Sequence, residues 1–217
     1  PSAEQEPLVA NHWSHSNANI YEAWDSLGFG DSSVVVAIID TGVKKDHEGL
    51  QKNRKFNYAE RYGLPNVDDD NNGFVDDSLG YDFGNMDAEV ENNNRHGTEV
   101  AGMVGAGLND SIYTFGVAPE AYFMPINILD RSTGFLMRGY EAAIYAAENG
   151  CKVLNLSWGR IGFPSQAEQD VINYIVNDLD VLIVAAAGNT DAKLDFYPAS
   201  YQNVLSVAHL TQGNQIF

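Results

Sequence analysis

The apolar pattern of this 217-residue chain predicts an α/β fold: a doubly wound, mostly parallel sheet flanked by helices. Three observations carry that expectation. Residues 34–39 read VVVAII, an unbroken and largely β-branched run that stops abruptly at Asp40, as a strand buried on both faces does. Residues 181–187 read VLIVAAA and stop in the same way, at Gly188 and Asn189. Segments with a helical apolar period lie between the strand-like runs, so the two kinds of element alternate.

The elements follow in order. Residues 1–30 are polar and punctuated, with a short helix predicted at 20–27. After the first strand, Asp40-Thr41-Gly42 turns the chain at a carboxyl end, where open α/β sheets place their chemistry. Residues 44–94 are loop-rich, and a helix over 98–106 follows, with Val100, Met103 and Val104 on one face. Gly97, Gly102 and Gly105 lower its helix propensity and suggest close backbone neighbours. Residues 116–129 give a turn and a strand in which Pro125 is unusual for a central position. A helix over 138–149 presents Tyr140, Ala143, Ile144 and Ala147, and Gly150 stops it. Residues 152–156 form the next strand. Ser165 and Glu168 read as a capping box opening a helix to about residue 178, with Val171, Ile175 and Val176 inward. Residues 204–210 form the last strand.

Composition bounds the rest. The chain is long enough, and at 44% hydrophobic residues apolar enough, to bury one core, so residues 1–217 are expected to form one domain. No apolar run spans a bilayer. A net charge of −18 argues against nucleic acid as a partner. Cys151 is the only cysteine, which excludes an internal disulfide.

The chemistry centres on residues 95–102, RHGTEVAG, where His96 stands at the foot of a helix of small and apolar residues. An imidazole so placed suits proton transfer near neutral pH. Asp40, His96 and Asn189 all sit beside strand ends or helix starts. The segments VVVAIIDTG, RHGTEVAG, LNLSWG and AAAGN occur in the order found in subtilisin-like serine proteases, the subtilase family, which the chain resembles from about Trp13 onward. Gly116-Val117-Ala118-Pro119 and Tyr197-Pro198-Ala199 fit as well.

That resemblance implies a serine endopeptidase cleaving peptide bonds through an acyl-enzyme. His96 resembles the general base, Asp40 the carboxylate that fixes its tautomer, and Asn189 the side-chain donor of the oxyanion hole. Leu156, Ser157, Trp158 and Gly159 resemble the strand beside which a polypeptide substrate pairs, and Ala186, Ala187 and Gly188 the wall of the pocket preceding the cut. Ser157 fits a small residue on that strand better than a nucleophile. Asp-Thr-Gly also occurs in aspartic proteases, but a second such carboxylate and a β-rich sequence are missing here.

Three departures from the family pattern stand out. Arg95 replaces a common glycine and Glu99 a common second histidine, neither of them a triad position. Nothing matches the Gly-Thr-Ser-Met-Ala stretch that carries the family's nucleophile, and the final residues, GNQIF, resemble a loop well before it. The expectation is a subtilisin-like domain incomplete at its C-terminal end, inactive alone, with the serine on a companion polypeptide and apolar sheet surface exposed. A reading from another class is a non-catalytic peptide-binding or regulatory module that keeps the cleft alone.

Residues 66–83 read NVDDDNNGFVDDSLGYDF. Asp68, Asp70 and Asn72 precede Gly73 at alternate positions, as oxygen ligands do in a calcium loop; Asp76 or Asp77 completes the set and Phe74 offers a carbonyl. Leu79 stands where an EF-hand needs its glutamate, so the loop is not an EF-hand. Subtilases use structural Ca2+ in such loops, and the resemblance also implies secretion or a cell-surface location.

Overall fold

The computed structural model describes residues 12–108, 115–190 and 193–215. Residues 1–11 of the polar N-terminal stretch and the last two of the final loop lie outside them. Two short helices, α1 (Trp13–Asn17) and α2 (Ile20–Leu27), precede strand β1 (Val35–Asp40). Helices α3 (Tyr58–Tyr62) and α4 (His96–Gly105) then lead to β2 (Tyr122–Asn127), α5 (Gly139–Glu148) and β3 (Val153–Leu156). The chain continues through β4 (Arg160–Ile161), α6 (Gln166–Asn173), β5 (Leu182–Ala186), β6 (Phe196–Tyr197) and β7 (Val204–Val207). The main sheet has five strands in the order β2-β1-β3-β5-β7, and every pairing in it is parallel.

All six residues of β1 are buried, as the unbroken apolar run requires. Val35, Ala37 and Ile39 point into a core shared with α5 and α6. Val36 and Ile38 point to the other face, against Ala101 of α4 and Phe123. Helices therefore cover both faces, the doubly wound arrangement.

Pro125 is resolved by topology, because β2 is the edge strand. Beyond it, Asn53 and Lys55 bond the main chain of Phe123, and Tyr81 and Phe83 bond that of Asn127. Pro125, which has no N–H, falls between those two bridges.

Two expectations about helix faces change. In α4 the buried residues are Gly97, Ala101 and Gly105. Val100 and Val104 are half-buried against the second core cluster and Met103 is 50% exposed, so the apolar stripe read from the sequence runs from the core edge into a groove. Only the small residues let the helix lie close on β1. In α5 the buried set widens to Ala142, Ala143, Tyr145, Ala146 and Ala147, because the helix lies along the sheet.

The capping box is not formed. Ser165 is the N-cap of α6, but its side chain makes no cap bond. Glu168 instead accepts hydrogen bonds from Tyr140, Tyr201 and Arg160, joining α5, α6 and the β4–β6 ribbon. α6 passes at Tyr174 into a π-helical turn ending at Asp178, so the helical segment ends where the sequence suggests. Burial alone would raise the Glu168 carboxyl, but the bonds from Tyr201, Arg160 and Tyr140 outweigh it and hold the group below its usual range. A lowered folded-state value stabilises the fold above the unfolded value, about pH 4.3, and that gain is lost as pH falls through the folded one. Glu168→Gln should therefore cost about 1–3 kcal/mol at neutral pH. Urea denaturation at descending pH should show the difference from wild type narrowing through the acid range.

One half of the second face stays open among the described residues. Leu182 is 47% exposed, Leu205 53% and Val207 48%, and Val153 and Val184 are half-buried. The run at 181–187 is thus buried on one face only, through Val181, Ile183 and Ala185.

Candidate active site

The end of β1 and the start of α4 place Asp40 beside His96. His96 Nδ1 lies 2.7 Å from Asp40 Oδ1. A carboxylate is an acceptor, so the bond puts the imidazole proton on Nδ1 and leaves Nε2 as a base. Asp40 is 2% exposed at its side chain and His96 51%, so a buried anion orients a ring that reaches the surface. Thr41 N–H also donates to Asp40 Oδ1, at 2.6 Å. Asp40 Oδ2 is buried without a partner among the described residues.

The helix start is held by local bonds. Asn94 Oδ1 accepts the His96 N–H at 3.0 Å, and Thr41 Oγ1 accepts the Gly97 N–H at 3.0 Å. A Cβ on Gly97 would stand 2.3 Å from the Gly42 carbonyl oxygen and 3.2 Å from Asp40 Oδ1. The close approach expected of the glycines is real at Gly97. A Cβ added at Gly105 would make ordinary contacts from 3.6 Å outward, and one added at Gly102 would meet nothing within 4 Å. Arg95 and Glu99, the two departures flanking the histidine, pair with each other at 3.2 Å on the exposed face of α4.

His96 opens onto a groove of about 540 Å³ whose walls include Glu99 and, among apolar residues, Val100, Met103, Val104, Val117, Val153 and Val184. Asn155 and Ser157 line it too, and with Val184 they are shared with a second cleft of about 250 Å³. That cleft carries Ala186, Gly188 and Asn189. The structure thus brings Ser157, Ala186, Gly188 and Asn189 together, one cavity away from His96. Leu156 is 2% exposed and belongs to the core, which leaves only its main chain to the cleft. Ala187 donates its N–H to Val207 O, and its side chain is not in the cleft wall. Trp158 is anchored across the sheet, its Nε1–H donating to Ile39 O at 2.9 Å, and with Gly159 lines a neighbouring cleft beside Tyr140 and Arg160.

Asn155 is a site residue the sequence reading missed. Its Nδ2 donates to Ser157 Oγ at 2.9 Å. The two-residue period of a strand, which puts positions 155 and 157 on one face, was the signal. Among the described residues no hydroxyl bonds to His96. Cys151 is buried, and burial pushes its thiol up to about 12, which makes it a poor nucleophile.

In the acidic loop the carboxylates divide. Asp68 closes its own turn by accepting the N–H groups of Asn72 and Gly73, and Asp76 accepts that of Asn66. The Phe74 ring packs edge-on against Tyr81 and Tyr145, anchoring the loop to the core. Asp70 and Asp77 converge with Glu60 of α3, their oxygens within 4.8 Å of one another. Asn72 reaches both aspartates through Nδ2. Burial pushes the Asp77 carboxyl up against the bonds from Tyr145, Asn72 and Asn57. Glu60 was not predicted, because it lies on a helix before the loop and outside any loop spacing.

A parallel α/β sheet that offers an aspartate at the end of an interior strand to a histidine opening a later helix defines a subtilisin-like domain. The chain belongs to the subtilase family, whose sequence profile matches residues 31–217. It is 35% identical over 195 residues to a thermophilic serine proteinase of Bacillus sp. (strain AK1), covering 89% of this chain and 42% of that protein. It is 33% identical over 195 residues to thermitase of Thermoactinomyces vulgaris, covering 89% of this chain and 60% of thermitase. The chain therefore spans roughly half the length of these relatives. The crystal structure of MycP1 with its N-terminal propeptide removed superposes with a TM-score of 0.67 at 22% identity, over 94% of this chain and 65% of that one, a likeness of fold.

Proposed function

We propose that this chain supplies the base, its orienting carboxylate, the oxyanion donor and much of the substrate cleft of a secreted or cell-surface serine endopeptidase. The observation that carries the reading is the 2.7 Å bond from His96 to buried Asp40, with the imidazole opening onto a cleft. An extended substrate pairs its main chain beside residues 156–159. As the serine oxygen bonds to the scissile carbonyl carbon, His96 Nε2 takes the hydroxyl proton, and Asp40 stabilises the imidazolium that forms. Asn189 donates to the oxygen that gains charge. His96 then protonates the leaving amine, and water resolves the acyl-enzyme by the same steps.

The nucleophile belongs, in this reading, to a segment seated in the apolar groove beside His96. Burying the valines of that groove would supply the driving force for seating it. Fluorophosphonate labelling of the purified protein, read by denaturing intact-mass spectrometry, tests the proposal. Labelling of a serine supports the protease reading. A single unlabelled species leaves the non-catalytic peptide-binding module as the function.

Ca2+ fits the cluster of Glu60, Asp70 and Asp77. Glu60 and Asp77 are 6% and 1% exposed, and hard oxygens gathered so closely repel one another until a cation joins them. These three carboxylates would hold the ion, which would tie α3 to the loop as a structural brace. A hundredfold excess over Kd should stabilise the fold by about 2.7 kcal/mol, or roughly 5–10 °C in Tm. Asp70→Ala should abolish that rise in a calcium-titrated melt, and a wild-type Tm indifferent to millimolar calcium would end the idea.

A further inference from the structure

Residues 82–91 cross from the acidic loop toward α4 as a strap over the ends of β1 and β2; Lys45 Nζ holds Glu89 at 2.7 Å near its far end, and Arg131 ties down the rest. Asp82 is 0% exposed. Its carboxylate accepts the Asn85 N–H at 2.9 Å, Asn85 Nδ2 at 3.0 Å, Asn127 Nδ2 at 2.7 Å and Arg131 Nη2 at 2.7 Å. The same guanidinium donates to both oxygens of Asp87 at 3.0 Å and to the Glu89 carbonyl at 3.1 Å. Arg131 comes from the loop after β2, so one planar fork joins two carboxylates and a carbonyl of the strap to the edge strand.

The strap then reaches the catalytic pair. The Val90 carbonyl accepts the Val43 N–H at 3.0 Å, and Glu91 accepts the Lys45 N–H at 3.0 Å. Gly42 has φ +89°, and a Cβ there would stand 2.6 Å from the Val90 oxygen. The Gly42 oxygen is in turn what crowds Gly97, next to His96. The contacts run without a gap from Arg131 through the strap to Gly42 and Gly97.

We propose that Arg131 is a positioning residue, a cation built into the chain that locks the strap and thereby holds His96 against Asp40. The proposal rests on reading Asp40 and His96 as the proton-transfer pair. A lysine, with one ammonium in place of the fork, can satisfy only part of the cage. A guanidinium ion from solution has the geometry to refill it once the side chain is gone.

The test uses the full-length protein and proton NMR of the His96 Nδ1–H, assigned by its loss in His96→Gln. Wild type should show this proton far downfield of the amide signals and slow to exchange; its absence would sink the reading of the pair itself, a separate failure. Arg131→Met should lose the signal with native circular dichroism, millimolar guanidinium should restore it, and Arg131→Lys should retain it in weakened form. Where Arg131→Met does not fold, the pair Asp82→Asn with Arg131→Met removes the unpaired buried charge and takes its place. Retention of the signal in the folded methionine variant, or a loss that guanidinium cannot restore, overturns the proposal.

Discussion

If His96 is the base proposed here, replacing it with alanine in the full-length protein is expected to lower kcat about 10⁴–10⁶-fold, the scale known for triad removal in subtilisin, a relative of this chain. The loss falls on kcat, because the imidazole acts on a proton that moves only as the carbonyl is attacked. KM should change little, since the strand at 156–159, proposed to pair with substrate, is untouched. The side chain is half exposed, so its truncation opens no core cavity, and the cost in Tm is the stranding of Asp40 with Thr41 as its remaining donor. Asp40→Asn reaches a similar end by another route. An amide donating to Nδ1 places the ring proton on Nε2, the wrong tautomer for a base, and costs about 10⁴-fold. Burst kinetics with an activated ester would separate acylation from release. Undiminished acylation in His96→Ala would remove His96 from the mechanism.

What the sequence made legible follows from what its residues do locally. The β-branched run at 34–39 has one comfortable environment, between two layers, and β1 occupies it. The placement of Asp40, His96 and Asn189 was legible because strand ends and helix starts are where polar groups meet solvent in a parallel sheet. Pro125 looked misplaced only while the order of strands was unknown. Glu168 shows the opposite limit: its spacing from Ser165 suits a cap, but two tyrosines and an arginine from other segments give a carboxylate more than one backbone N–H does. Glu60, Asn155 and Arg131 all act on residues distant in the chain, and local spacing is silent about such partners. The stripe of Val100, Met103 and Val104 was read correctly as apolar. Which side of α4 meets the sheet was decided instead by Gly97, Ala101 and Gly105, since only small residues let helix and strand backbones touch.

Gly97→Ala is the second large effect expected. The added methyl would stand 2.3 Å from a backbone oxygen, that of Gly42, which no rotamer change can move aside. The helix must retreat from the strand end, at a cost of about 1–3 kcal/mol, or roughly 2–12 °C in Tm. The retreat also lengthens the bond between His96 and Asp40, because Gly97 packs against the aspartate that its neighbour must reach. A displacement near 1 Å in catalytic geometry costs on the order of 10²-fold in rate. Gly102→Ala, further along the same helix, is the control: the added methyl would meet nothing within 4 Å. Relief of the glycine penalty should there leave the helix unchanged or up to about 1 kcal/mol more stable. Melting curves and kcat for the two variants decide the matter together. If both behaved alike, the crowding at Gly97 would not be what fixes the base against its carboxylate. If only Gly97→Ala lost rate as well as stability, the absence of one methyl group would be what lets β1 and α4 approach closely enough to join Asp40 to His96.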